Sequence, residues 1–255
     1  MKNKTYFKKA VAAILAVTML TGSVGTRYFL NSYAGENKIE KAETKTSIND
    51  YANLVDTFWA TAVDNGQQFP GAVSPYGIVK LSPDTYPHTN DDHAGYDYNK
   101  SQISGFSHTR IEGVGGQGAG GDVLITPTYV NYTEKPSMES RAQAYSHNEE
   151  EATPGYYKVS LLSKTGTNNE ITTDGSKIVA TTTRTGLHRY TFPKAGTASV
   201  VMDLNYTYHG TDIRNAVMNV STTAEGNTAI SGRFSARNVS GHGKYTMYFY
   251  METDT

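Results

Sequence analysis

Lys244-Tyr-Thr-Met-Tyr-Phe-Tyr-Met-Glu252 decides the fold class. Between its two charged ends it holds only aromatic, β-branched and methionine side chains, which pack well on a pleated surface. Working back along the chain, similar short runs recur at Thr228–Phe234, Ala216–Ser221, Thr197–Leu204, Leu187–Phe192, Lys177–Thr183, Tyr156–Leu162, Asp122–Ile125 and Gly77–Leu81. Turn residues separate most of them, including Asp174-Gly175 and Glu225-Gly226-Asn227. No stretch after Trp59 keeps a 3.6-residue period for three turns. Strands without helical crossovers must pair mostly antiparallel, so the reading is all-β, an antiparallel β-sandwich. Residues 47–59 are the one place where apolar side chains fall at helical spacing, with Ser47 as a cap, although Thr57, Phe58 and Trp59 also suit a strand.

The chain has 255 residues, 18% of them charged, and its formal charge is −1. Residues 1–34 carry five bases and no acid, so the remainder holds 18 basic against 24 acidic side chains. That acidic remainder lacks the basic stripe that phosphate backbones need, which argues against a nucleic-acid partner. With no cysteine there is no disulfide, thiol nucleophile or thiolate metal site.

The amino terminus has a basic start, Met1 to Lys9, then an apolar run from Ala10 to Leu20, then small residues. As a helix this run would span about 17 Å, short of the roughly 30 Å hydrocarbon core. The pattern is that of a cleaved secretory signal over residues 1–34, followed by a polar linker over 35–46 and a β-sandwich domain over 47–255. The protein is therefore expected to be secreted, with no membrane association after cleavage. The chain ends just after its most strand-like run, which reads as a domain cut near its end.

Residues 64–128 have a different texture, dense in Gly, Pro, Asp, His and aromatics, as ordered site-forming loops are. Gly113-Val-Gly115-Gly-Gln-Gly118 fits a dinucleotide pattern, but strand residues follow where a helix is required. Asp91-Asp92-His93, with His88 and Asp97 nearby, has the donors of a hard-metal site, of a solvated acidic loop, or of a loop reading sugar hydroxyls. Ser107 and His108 are adjacent, so on a strand they point to opposite faces and cannot act as a nucleophile–base pair. Glu112 and Asp122 remain as carboxylates flanking the glycine run, unmarked by spacing as an acid–base pair. Tyrosine supplies 19 of the 28 aromatic residues, and an amphipathic ring can stack on a sugar face.

In order, Phe69-Pro-Gly-Ala72, Pro75-Tyr-Gly-Ile-Val-Lys-Leu-Ser-Pro-Asp-Thr85, Gly95-Tyr-Asp-Tyr98, Ile103-Ser-Gly-Phe-Ser-His-Thr109 and Gly121-Asp-Val-Leu-Ile-Thr-Pro-Thr128 resemble glycoside hydrolase family 92, the exo-acting α-mannosidases. Pro154-Gly-Tyr-Tyr-Lys-Val159 and Thr183-Arg-Thr-Gly-Leu-His-Arg-Tyr-Thr-Phe192 extend the match, which covers about residues 50–252. The resemblance implies the amino-terminal β-sandwich of a two-domain, calcium-dependent, inverting enzyme acting on α-mannosyl glycans. The acid, base and calcium ligands would lie on a helical (α/α)6 barrel in cis, so no catalytic or metal-binding residue and no cofactor is expected in this chain. Inversion needs two carboxyl groups roughly 6.5–9.5 Å apart around the scissile bond, which a cleft between domains can shelter.

By the same resemblance Phe69 and Gly71 belong to a loop at the sugar, where a missing Cβ permits close approach. The loop from Thr85 to Gly95 corresponds to a specificity loop, with His88, Asn90, Asp91, Asp92 and His93 as its substrate-binding candidates. Some family members carry a tryptophan there, whereas the single tryptophan here is Trp59. The loop would then read hydroxyls by polar contacts rather than by stacking. A stand-alone carbohydrate-binding module without hydrolytic activity is the alternative. A structural surface protein fits the composition but leaves the motifs of 64–128 without a role.

Overall fold

The computed structural model describes residues 12–19, 51–62, 66–74, 76–88, 93–110, 120–165, 170–174, 176–181, 184–192, 199–207, 213–237 and 243–254. In chain order the strands are β1 Ala12–Met19, β2 Ala72–Val73, β3 Lys80–Tyr86, β4 Gln102–Ser107, β5 Leu124–Thr128, β6 Gln143–Thr153 and β7 Tyr156–Thr165. They continue with β8 Glu170–Asp174, β9 Ser176–Thr181, β10 Thr185–Thr191, β11 Ser199–Asp203, β12 Arg214–Thr222, β13 Thr228–Arg237 and β14 Lys244–Asp254. Helix among the described residues is limited to one 3-10 turn, Tyr51–Leu54, and one short helix, α1 Met138–Arg141.

Neighbouring strands follow the order β11-β5-β4-β6-β7-β9-β10-β1-β14-β13-β12, and the pairings are antiparallel. Although β4 and β14 stand far apart in that order, one core holds them together. Ile103 and Phe106 of β4, Ile125 of β5, Tyr190 of β10, Phe234 of β13 and Phe249 and Met251 of β14 form a single buried cluster. The sheet therefore curls over itself into two facing layers, the expected sandwich. Truncating a fully buried ring such as Phe234 in a core of this kind costs about 3–5 kcal/mol.

β13 and β14, which contain the strand runs read at Thr228–Phe234 and Lys244–Glu252, pair in continuous register from Thr228↔Thr253 to Arg237↔Lys244. Elsewhere the structure departs from the expectation. Residues 51–60 form no α-helix: Val55 N donates to Ala52 O and Trp59 N to Asp56 O, both i→i+3 bonds. Asp56 Oδ1 accepts from Phe58 N at 2.9 Å, an Asx turn that competes with helix propagation. Within the segment read as a secretory signal, Ala12–Met19 lie, as backbone, in strand β1 between β10 and β14. β3 and β4 pass through stretches read as loops. Pro83 is accommodated because β3 pairs with β2 only at Lys80 and Leu81, which leaves an edge position where no N–H is needed. Gly105 lets β4 press on β5: an added Cβ would lie 2.6 Å from Thr126 Oγ1 and 2.8 Å from Ile125 O.

Candidate functional site

Two loops read as sugar-facing converge on one buried side chain. The residue is Arg110, at the foot of β4, where it forms a bridge with Gly120. Its Nε donates to Lys80 O at 3.1 Å and its Nη1 to Ala94 O at 2.6 Å. Its Nη2 donates to Ser82 O and, at 3.0 Å, to Ser107 Oγ. Nη1 also pairs with Asp84 Oδ1 at 3.2 Å, with both side chains fully buried. The guanidinium lies 5.1 Å from the centre of the Phe69 ring. A charge taken so completely out of water must be paired and hydrogen-bonded to be tolerated, and this one is.

Phe69 is half-buried and Gly71 buried, next to β2. A Cβ on Gly71 would fall 2.3 Å from Leu81 O and 2.2 Å from Ser82 Cβ. Among the described residues the close approach that this glycine allows is therefore to β3. The Thr85–Gly95 loop is closed at its neck by Thr85 N donating to Gly95 O at 2.8 Å, and Asp97 N reaches Thr85 Oγ1 at 3.0 Å. The Tyr86–Pro87 peptide at its start is cis. His88 lies edge-on to Tyr206, ring centres 6.1 Å apart, and His93 is half-buried. Asn90, Asp91 and Asp92 lie outside the described residues, as does the Gly113–Gly118 pattern. The structure thus brings Phe69, Gly71 and the neck of the 85–95 loop onto one rim through β3 and Arg110, while His88 faces the segment after β11.

Ser107 and His108 diverge as their adjacency predicts. The Ser107 hydroxyl accepts from Arg110, while His108 Nδ1 lies 2.7 Å from Val123 O and Nε2 2.8 Å from His188 Nε2. His188 Nδ1 lies 2.7 Å from the Tyr190 hydroxyl. Burial pushes the His108 pKa down to about 4 and that of His188 well below its usual value, so both rings are neutral at pH 7. The tautomers follow: His108 Nδ1–H donates to the Val123 carbonyl, His188 Nε2–H donates to His108, and Tyr190 O–H donates to His188. This is a closed structural relay, with no proton left to offer a substrate.

The buried carboxylates have internal partners as well. Asp122 accepts from Thr109 Oγ1 at 2.6 Å and from Tyr245 of β14 at 3.0 Å, which ties the two layers together. Burial raises its pKa to about 6, against the lowering effect of those two donors. Glu150, reached by Tyr96, Tyr157 and His147 Nδ1 (2.7 Å), borders a cleft of about 240 Å³ lined also by Phe58, Thr61, Ala62 and Tyr98. His147 stacks on Tyr98 with ring centres 3.7 Å apart, so this cleft is an aromatic corner whose polar atoms serve one another. No group of three or more His, Asp or Glu side chains able to hold an ion occurs among the described residues.

This architecture has known relatives. The family description "Glycosyl hydrolase family 92 N-terminal domain" matches residues 54–255. The chain belongs to glycosyl hydrolase family 92. The family 92 glycosyl hydrolase ccman5 is 34% identical, with a TM-score of 0.66 over 81% of this chain and 31% of that one. A family 92 α-mannosidase from Bacteroides thetaiotaomicron in complex with mannoimidazole shares the fold, with a TM-score of 0.56, 22% identity and coverage of 80% of this chain and 30% of that one. A curated relative from Arthroderma benhamiae, named an uncharacterized secreted glycosidase, is 28% identical over 189 residues, 70% of this chain and 22% of its own. The family 92 chain described here thus spans less than a third of the length of these relatives. No helix among its described residues is long and apolar enough to cross a membrane.

The sequence reading singled out Phe69 and Gly71 but passed over Arg110, whose guanidinium the Phe69 ring faces. The neighbouring Ser107, His108 and Thr109 are polar and gave no sign that the arginine is buried.

Proposed function

We propose that this family 92 domain is the cleft-shaping, sugar-facing half of a secreted, calcium-dependent, inverting exo-α-mannosidase acting on α-mannosyl glycans. The observation that carries the reading is the family 92 N-terminal match over residues 54–255, in a chain covering 31% of the length of ccman5. The buried carboxylates support it: Asp84, Asp122 and Glu150 are each engaged by donors of this domain, as structural rather than reacting groups are. In this reading the acid, the base and the calcium ligands belong to a helical barrel in cis. No described cluster of this chain fits the ion, so no step of the reaction is assigned to it here.

What this domain supplies is shape. Phe69, Gly71 and the 85–95 loop, with His88, Asn90, Asp91, Asp92 and His93 as hydroxyl-reading groups, would line the mannose pocket and its leaving-group side. Binding energy from such groups orients the sugar between two carboxyl groups that they do not themselves provide. Residues 1–34 would direct export and be removed. The test is hydrolysis by the full-length protein of an aryl α-mannoside, with calcium and with a chelator, following the first-formed anomer by NMR. Calcium-dependent release of β-mannose is expected. Release of α-mannose, indifference to the chelator, or binding of mannosides without hydrolysis would overturn the reading, the last in favour of a binding module.

A further inference from the structure

We infer that Arg110 is the positioning residue of the sugar rim, locking the Phe69–Gly71 turn and the neck of the Thr85–Gly95 loop into one rigid edge. The inference rests on the reading of those two loops as sugar-facing, and adds a residue that neither loop contains.

The guanidinium has five N–H donors in a fixed plane, and the structure offers five good acceptors around it. These are Lys80 O, Ser82 O and Asp84 Oδ1 on β3, Ala94 O at the loop neck, and Ser107 Oγ on β4. Ala94 is pinned from its other side too, its N–H donating to Gly66 O at 3.1 Å. One residue of the loop neck is thereby held, by its N–H and its C=O, between the segment leading to Phe69 and the arginine beneath Phe69. The cation under the Phe69 ring makes the second link, since a guanidinium is attracted to an aromatic face. Lysine cannot replace this arrangement: its compact ammonium has three donors around one point and cannot span acceptors spread across a planar fork. The hydrogen bond that Arg110 gives to the 85–95 loop goes to the backbone carbonyl of Ala94, so its effect on substrate is through the loops that it holds.

Loosening a binding rim removes ground-state and transition-state contacts alike, which raises KM more than it lowers kcat. The test uses Arg110→Lys and Phe69→Leu in the full-length protein, with steady-state kinetics on an aryl α-mannoside, and hydrogen exchange at Thr85, Ala94 and Tyr96. For Arg110→Lys a KM increase of about tenfold with kcat within about threefold is expected, together with faster exchange at the neck amides. Phe69→Leu removes the ring that the guanidinium faces. Faster exchange at Ala94 and Tyr96 in the substrate-free variant, which loss of a sugar contact would not cause, decides the matter if Arg110→Lys does not fold; unchanged exchange there would overturn the role. A folded Arg110→Lys variant with unchanged KM and unchanged exchange, or one that loses kcat at constant KM, overturns the positioning role. A wild-type protein that leaves α-mannosides intact overturns the functional reading, while exchange at the neck still decides whether Arg110 holds it.

Discussion

The strands β3, β4 and β5 are buried over nearly their whole length, yet they carry Ser82, Asp84, Thr85, Ser104, Ser107 and Thr126 inside. The strand β12 is their opposite: every residue from Asn215 to Thr222 is exposed, including Val217, Met218 and Val220. Both belong to one sheet, so sheet membership alone does not set how much a residue matters. In the buried layer the polar side chains have given up water, and the hydroxyls of Ser104, Ser107 and Thr126 each depend on a specific partner. On β12 water serves in place of a partner, and side chains can be exchanged at little cost. The rim held by Arg110 is built on the first kind of strand, where positions are fixed by buried hydrogen bonds.

The largest effect expected from this contrast is at Arg110. Arg110→Met leaves Asp84 as a buried charge without its cation and several carbonyls without their donor. It should cost about 3–5 kcal/mol in chemical denaturation. Arg233→Met, on the exposed side of β13, should change stability by less than about 0.5 kcal/mol. Equal losses at the two arginines would break the comparison.

Acidity sharpens it next. The folded His108 has a pKa of about 4 against 6.5 for the free side chain, so the unfolded chain takes up a proton that the fold refuses. Its contribution is complete at neutral pH and is lost as pH falls from about 6.5 towards 4. Asp122 runs the other way. Raised to about 6 from 3.8, it favours the fold at low pH, and that contribution is lost as pH rises through about 6. The two partly cancel between pH 4 and 6. Asp122→Asn removes the offset, and should steepen the loss of stability on acidification across that window by about 1–3 kcal/mol relative to wild type. An unchanged slope would mean that Asp122 titrates normally in the fold.

How much of this was legible in the sequence follows the same division. The β12–β13 hairpin was readable because strand-favouring runs flank a Glu-Gly-Asn turn, and β14 because nearly all its side chains favour a strand. β3 and β4 were not, since Pro83 and Gly105 argue against strands until their edge position and close packing are known. β6 was missed because the strand-poor run Glu149–Glu151 sits beside a register shift between Tyr145 and Glu150. Phe69 and Gly71 were legible as motif residues. Arg110 was not, because most of its acceptors are backbone carbonyls of Lys80, Ser82 and Ala94, and a carbonyl leaves no mark in the residue type. Over the described residues 51–59 the helical reading failed for a local reason, the Asx turn at Asp56.

A smaller change is expected where β1 meets its neighbours. Removing residues 1–34 takes β1 away from β10 and β14. Amide exchange should then quicken along those two strands and stay unchanged in β4 and β5. Smallest of all, Val217→Thr and Val220→Thr on β12 should leave thermal stability within about 0.5 kcal/mol of wild type, and a larger loss would show that this face is covered rather than open.

The central claim, that this domain shapes a pocket whose proton-transfer groups lie on another part of the protein, is tested most directly by giving the 255-residue chain alone an aryl α-mannoside with calcium. Background rates are predicted, with turnover appearing only in the full-length protein. Clear hydrolysis by this chain on its own would contradict the claim, and would place the acid and the base among the residues assigned here to structure.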